Sequence, residues 1–336
     1  MAQTHGSLII DRPGPEALAD AMAGGRPAVI RRLTADWPIV QAAGRGREAL
    51  SRYLEDLDEG EEAEMFHGPP EIGGRFFYSD DFRGLNFERR RSTVTALLRS
   101  LAEAAASKRP PALYMGAAAT RQTLPKFEVD HRLAGLPHDA VARIWIGNAV
   151  TIQTHFDASS NLACVVGGRR TFTLFPPEQA ANLYVGPLEF TMAGQPASVV
   201  DLAAPDLERH PRFAEALKHA VTLELEPGDA VFIPPLWWHN VRSHGPLNVL
   251  VNYWWTEGSA AGASPFEALV HGLLAVRSLP PGERAAWRAL FEHFVFDPQP
   301  MNHIPPDAQG VAGPLTPATA MMMRRFLIGA LSRKST

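Results

Sequence analysis

The pattern of hydrophobic and polar positions divides the chain into three regions. Up to about residue 110, short helical and strand-like stretches alternate. GPEALADAMAGG (residues 14–25) has the apolar spacing of a helix stopped by glycine, and PAVIRRL (27–33) follows as a short strand. STVTALLRSLAEAAAS (92–107) predicts a longer helix with Ser92 as its cap and leucine and alanine inside. From about 112 to 257 the period shortens to that of strands. RIWIGNAVTIQTHFD, LACVVGG, RTFTLFPP, AVTLELEPGDAVFIPP and LNVLVNYWW are rich in β-branched and aromatic residues, with Gly or Pro turns between them. Many strands at short spacing, without helices between them, predict an antiparallel barrel or sandwich. From about 264 the helical period returns. SPFEALVHGLLAVRS carries a capping-box pattern, Ser264 to Glu267, with Pro265 in the first turn. PPGERAAWRALFEHFVF is a second helix, and TPATAMMMRRFLIGALSRK a third that opens on Thr316 and Pro317. The expected organisation is therefore a mixed α/β region over 1–110 packing on a barrel over 111–258, then a helical region over 259–336. The last helix is apolar on most faces, which fits packing on the barrel or a homodimer contact.

Composition narrows the class without choosing a chemistry. The chain has 336 residues, 46% hydrophobic and 20% charged, as in an ordinary soluble globular protein. A net charge of -4 gives no global basic footprint, which counts against nucleic acid as the default partner but leaves room for a local groove. The single cysteine, Cys164, cannot form an intramolecular disulfide. The first twenty residues lack the basic start and apolar run of a secretory signal, and no stretch approaches the ~20 apolar residues of a membrane span. The expectation is a cytoplasmic protein with no membrane association.

One stretch carries chemistry. THFDASSN (154–161) places a histidine and an aspartate two positions apart in an apolar strand, where both cost free energy unless paired. Alternate strand residues share a face, so Thr151, Gln153, His155 and Asp157 would point one way, with Ile152 and Phe156 opposite. A third group arrives in PGDAVFIPPLWWH (227–239): a tight turn, a buried strand, then His239. Two histidines and a carboxylate on one side of a metal, with open positions opposite, form the facial triad of non-haem Fe(II) oxygenases. His244, in RSHGP, competes for the third position but reads as a solvated turn residue.

These motifs, with RPAVIRRLTADWP, LYMG, VVGGRRTFTLFPP and NVLVNYWW, resemble those of the cupin-like Jumonji dioxygenases, including the asparaginyl hydroxylase of the hypoxia pathway and related protein and tRNA hydroxylases. The resemblance spans roughly residues 26–257. It implies a double-stranded β-helix, a jelly-roll barrel with flanking helices, and an enzyme that uses Fe(II), 2-oxoglutarate and dioxygen to hydroxylate an unactivated C–H bond. Carried over by position, His155, Asp157 and His239 are the iron ligands, and Tyr114, Asn161 and Asn252 line the co-substrate pocket. The family's threonine falls at Ile152 here; strand parity nominates Thr151 instead. Where the family commonly has a lysine for the distal carboxylate of 2-oxoglutarate, this chain has Arg170, whose guanidinium can grip a carboxylate through two parallel hydrogen bonds. A protein or peptide side chain is the first expectation for the substrate, with a tRNA base or a small metabolite as alternatives. Residues 73–91, GGRFFYSDDFRGLNFERRR, read as either a substrate lid or a surface loop with packed aromatics. Two rival functions stand beside the oxygenase: a zinc or manganese cupin that isomerises or hydrolyses, and a silent binding module that keeps the barrel.

Overall fold

The computed structural model describes residues 8–192, 194–256 and 264–332. The chain divides into two compact units, Met1–Thr256 and Glu257–Thr336. The expected boundary at 258–259 falls in 257–263, outside the described residues, as do residues 1–7 and the end of the last expected helix at 333–334.

The first unit is built on eleven strands: β1 (Leu8–Asp11), β2 (Ala28–Arg31), β3 (Ala63–Gly68), β4 (Glu88–Ser92), β5 (Ala112–Ala119), β6 (Val141–Gly147), β7 (Thr151–Phe156), β8 (Ser160–Phe175), β9 (Val221–Leu225), β10 (Ala230–Ile233) and β11 (Trp238–Trp255). They run in the order β1-β2-β10-β8-β11-β6-β5-β3-β4, with β7 added on β11 and β9 on β8. Every pairing is antiparallel except β1 with β2. This is the jelly-roll class with flanking helices, and the strands of the first 110 residues extend its sheet at both ends.

Strands β8 and β11 hold the assembly together. Their ladder runs from Trp238 opposite Phe175 to Trp255 opposite Ser160. LACVVGG and RTFTLFPP, expected as two strands, are one strand bent at Gly167 and Gly168. The start of β8 pairs with β10 and its end with β9. Gly168 has φ +73°, and a Cβ there would collide with the Asn248 side chain and the Leu247 carbonyl, so only glycine permits the bend.

Alternation along these strands sorts two apolar layers. Cys164 and Val166 of β8 and Val249 and Val251 of β11 are buried in one apolar layer with Leu97 and Leu101 of the helix Val94–Ala105. Ala163 and Val165 face the other way, with Phe172, Leu174, Val231 and Ile233, into the barrel. Burying each leucine of that helix contributes roughly 1.5–3 kcal/mol. The helix is capped by Thr93, whose hydroxyl accepts from Ala96 N–H, and not by Ser92, whose hydroxyl donates to the Thr93 carbonyl. Ser92 is the last residue of β4, so its backbone is already committed to the sheet.

In the second unit, helices span Pro265–Ala275, Pro281–Phe291 and Pro317–Leu331. Ser264 caps the first through Phe266 N–H, without the reciprocal bond expected from Glu267. Thr316 caps the last in a true capping box with Thr319. None of the three helices buries a single residue, and Leu274, Phe296 and Phe326 are each about 70% exposed.

Candidate metal centre

His155 and His239 lie directly opposite each other where β7 pairs with β11. Each imidazole donates its Nδ1–H to a backbone carbonyl two residues earlier, His155 to Gln153 at 2.8 Å and His239 to Trp237 at 3.0 Å. That fixes the tautomer and leaves both Nε2 lone pairs free for a metal. The ring centroids are 4.2 Å apart, and His239 Nε2 is 3.6 Å from Asp157 Oδ2. One ligand atom from each of His155, Asp157 and His239 lies within 4.8 Å of the others, a separation one divalent ion can bridge. The turn before His239 is tied to the same place. Leu236, held at φ +66°, donates its N–H to the Asp157 carbonyl at 2.8 Å. Burial, with His155 adding to it, pushes His239 down to about 4 against the pull of Asp157. It is neutral at neutral pH, the form that ligates metals.

The parity argument for Thr151 fails here. Between His239 and Val241 the partner on β7 moves from His155 to Ile152, a slip of one residue. This bulge exchanges the two faces of the first half of β7. Ile152 and Gln153 line the cavity, and Thr151 does not; its N–H instead bonds the Gly74 carbonyl at 2.9 Å. The Gln153 amide donates to the Ser198 and Val200 carbonyls at 2.9 and 2.6 Å, tying the segment that follows the cavity-lining Ala197 to β7.

The triad opens on a cavity of about 530 Å³ that also takes in Tyr114, Asn161, Arg170 and Asn252. Arg170 is only 1% exposed, although its neighbour Arg169 is solvated. Its Nε and Nη2 have no hydrogen-bond partner. Burial pulls its pKa down, opposed by the nearby Tyr114 hydroxyl, to which it hydrogen-bonds. Burial likewise pushes Tyr114 up, and Arg170 opposes it. A buried cation with two idle donors is costly by itself and fits an arriving carboxylate.

The asparagines form a directed chain. Trp145 Nε1–H donates to Asn252 Oδ1 at 2.7 Å, Asn252 Nδ2 to Asn161 Oδ1 at 3.2 Å, and Asn161 Nδ2 to Asp157 Oδ2 at 3.5 Å. Every donor points toward the carboxylate of the triad, which orients that ligand and stabilises its charge. Asn248, four residues before Asn252 on β11, is buried outside the cavity. His244 takes no part in the triad; its Nε2 hydrogen-bonds Thr171 Oγ1 at 2.8 Å.

Residues 73–91 supply a wall. Phe76, Tyr78 and Phe87 are buried with Phe66 and Tyr114, and Phe76 lines the cavity. The ERRR run is exposed on the edge strand β4, where Arg90 and Arg91 pair with Glu88 and Glu62. Sequence reasoning passed over Trp145 and Arg143, both in RIWIG. A period-two reading from Ile144 and Ile146, which face the helices, already puts those two residues on the opposite, inward face.

The sequence profile of the cupin-like domain family matches residues 15–261, and the chain belongs to this family of Jumonji type. Among curated proteins it is similar to the lysine-specific demethylase JMJ31 of Arabidopsis thaliana, 40% identical over 33% of this chain and 20% of that protein. It is 38% identical to human HSPB1-associated protein 1 over 33% of this chain and 22% of that one. With the tRNA wybutosine-synthesizing protein 5 of Danio rerio the identity is 37%, over 31% and 29%. The matched segment thus spans less than a third of each of these relatives.

Proposed function

We propose that the chain is a 2-oxoglutarate-dependent oxygenase that hydroxylates a C–H bond, with Fe(II) held by His155, Asp157 and His239. The observation that carries this is the pairing, in one cavity, of a three-ligand cluster with an Arg170 guanidinium that has two buried, idle donors. A zinc or manganese hydrolase would need no second anion site, and a silent module would have no reason to keep both. When bound, iron would supply the activation of dioxygen, coupled to decarboxylation of 2-oxoglutarate.

The chain's own residues bind, orient and shield. Arg170 and Tyr114 would receive the distal carboxylate of 2-oxoglutarate, charge to charge and hydroxyl to oxygen. Gln153 Nε2, spent on two carbonyls, holds the cavity wall rather than substrate. The chain from Trp145 to Asp157 holds the carboxylate ligand in place. Phe76, Ile152 and Phe172 give the chamber dry walls, which keeps a reactive centre away from water.

The relatives are named for lysine demethylation and for tRNA modification, which supports oxidation of a macromolecular substrate; a protein side chain remains our first reading, with a tRNA base or small metabolite as the alternatives. The reading extends to a homodimer through the second unit, because helices that bury nothing of their own need a partner surface. It also extends to the cytoplasm, where a lone buried thiol such as Cys164 stays reduced. The decisive test is uncoupled turnover. Purified protein with Fe(II), ascorbate and 2-oxoglutarate is expected to release succinate, and Asp157→Ala to release none; succinate release persisting in that variant would sink the assignment.

A further inference from the structure

A second cation faces the same cavity with nothing to hold. Arg143, on β6, lines the chamber directly opposite Asn252 of β11. Its Nη1 is anchored: it donates at 2.9 Å to the carbonyl of Ala117. That carbonyl is placed by a deliberate irregularity. Strand β5 slips register between Met115 and Ala118, and Ala117 is held at φ +50°, a left-handed backbone that costs an alanine strain. Arg143 Nε is buried without a partner, and among the described residues no carboxylate pairs with this side chain. Its guanidinium carbon lies 5.6 Å from the ring centroid of Trp254, whose own Nε1–H is a second buried donor without an acceptor. The third arginine in the chamber wall, Arg89, already has a carboxylate in Glu64 at 3.6 Å.

We propose that Arg143 and Trp254 form a carboxylate-binding subsite for the molecule being oxidised, so that the substrate is an acid. The inference rests on the oxygenase reading, which spends both ends of 2-oxoglutarate: one carboxylate at the metal, the other at Arg170. A second uncompensated guanidinium therefore belongs to a second molecule. An anchored Nη1 leaves the Nε edge free, the edge that forms parallel hydrogen bonds with a planar carboxylate, and the indole N–H adds a third donor. The subsite adjoins Asn252, which holds Asn161 and through it Asp157, so a carboxylate seated there brings its neighbouring carbons toward the triad. The acid can be a free small molecule or an aspartate or glutamate side chain; the chemistry is shared and the experiment separates them.

The test uses the full chain loaded with redox-inert Mn(II), with and without saturating 2-oxoglutarate, and reads paramagnetic relaxation of probe protons. The probes are butyrate for a free acid, N-acetyl-aspartate-N-methylamide for a side chain, and N-acetyl-asparagine-N-methylamide as the neutral control. Saturable relaxation is expected for at least one acid and not for the amide. If only the capped aspartate responds, the source is a protein chain; if butyrate responds equally, it is a free acid. Arg143→Met should weaken the acid roughly tenfold or more, and Trp254→Phe by less, both with an unchanged thermal shift on adding 2-oxoglutarate. Equal binding of the amide, or full acid binding in Arg143→Met, would overturn the proposal. So would loss of the 2-oxoglutarate shift in Arg143→Met, which would hand this residue to the co-substrate. Acid binding that needs Arg143 in a protein with no response to 2-oxoglutarate would instead sink the oxygenase reading and leave the subsite standing.

Discussion

Replacing Arg170 with methionine should make the ligand-free protein more stable and the co-substrate invisible to it. Arg170 is 1% exposed and has two donors, Nε and Nη2, without acceptors. Each buried unsatisfied donor costs about 1–3 kcal/mol. Methionine keeps most of the apolar stem and removes both donors, at the expense of leaving the Tyr114 hydroxyl without its guanidinium, about 1–2 kcal/mol. The balance is a net stabilisation of roughly 0–5 kcal/mol, centred on about 2–3 kcal/mol. For a unit of this size that moves the melting temperature up by about 2–4 °C per kcal/mol. The wild type, titrated with 2-oxoglutarate and Mn(II) to about a hundred times the dissociation constant, should gain about 2.7 kcal/mol, and Arg170→Met nothing. Differential scanning fluorimetry with and without ligand reads both effects. Arg170→Lys should recover part of the ligand response, since an ammonium keeps the charge but loses the two-donor fork. A variant that melts lower than wild type yet still responds to 2-oxoglutarate would refute the reasoning, because it would show the guanidinium to be a structural group with hidden partners.

Trp145→Phe removes the first donor of the chain that ends on Asp157, and metal affinity measured by competition with a chelating dye should fall by about 10–100-fold; unchanged affinity would mean that the chain does not orient the ligand. His131 supplies a pH dependence outside the site. Its Nδ1–H donates to the Phe127 carbonyl and its Nε2 faces the Ile39 N–H, so the folded protein holds it neutral and burial lowers its pKa below the usual 6.5. The unfolded chain then takes up the proton first, so stability is lost as pH falls below about 6.5; His131→Gln should flatten that part of the melting curve against pH, and an unaltered slope would count against it. Sedimentation of the whole chain should show a dimer that Phe291→Glu, on an exposed helical face, shifts toward monomer; a monomeric wild type would remove the second unit from assembly.

The sequence showed the triad because its signal is local: two ligands at strand spacing and a third just past a Pro-Pro turn. It also showed the strand-rich centre and the helical ends. It hid whatever depends on where a strand departs from regularity. Thr151 was misplaced because a bulge between Ile152 and His155 reverses the faces, and nothing in TIQTHFD marks it. Gly167 and Gly168 read as a hairpin turn but bend a single strand, and Arg170 just beyond them is buried in the cavity wall. Ser92 and Thr93 are equally good caps by type, and only the end of β4 decides between them. Arg143 went unread because an arginine in a strand is ordinarily a surface residue; the Ala117 carbonyl that anchors it is contributed by another strand.

The long ladder of β8 and β11 also sets a timetable. It joins Ser160 to Trp255 and so closes only after nearly the whole first unit has been made. Pairings this distant in sequence form slowly. His155 and Asp157 leave the ribosome well before His239, and until β11 docks they are two side chains on an unpaired strand beside exposed apolar surface. The three-ligand cluster is thus complete only in the finished barrel, and the strand that completes it is the last of the sheet to be synthesised.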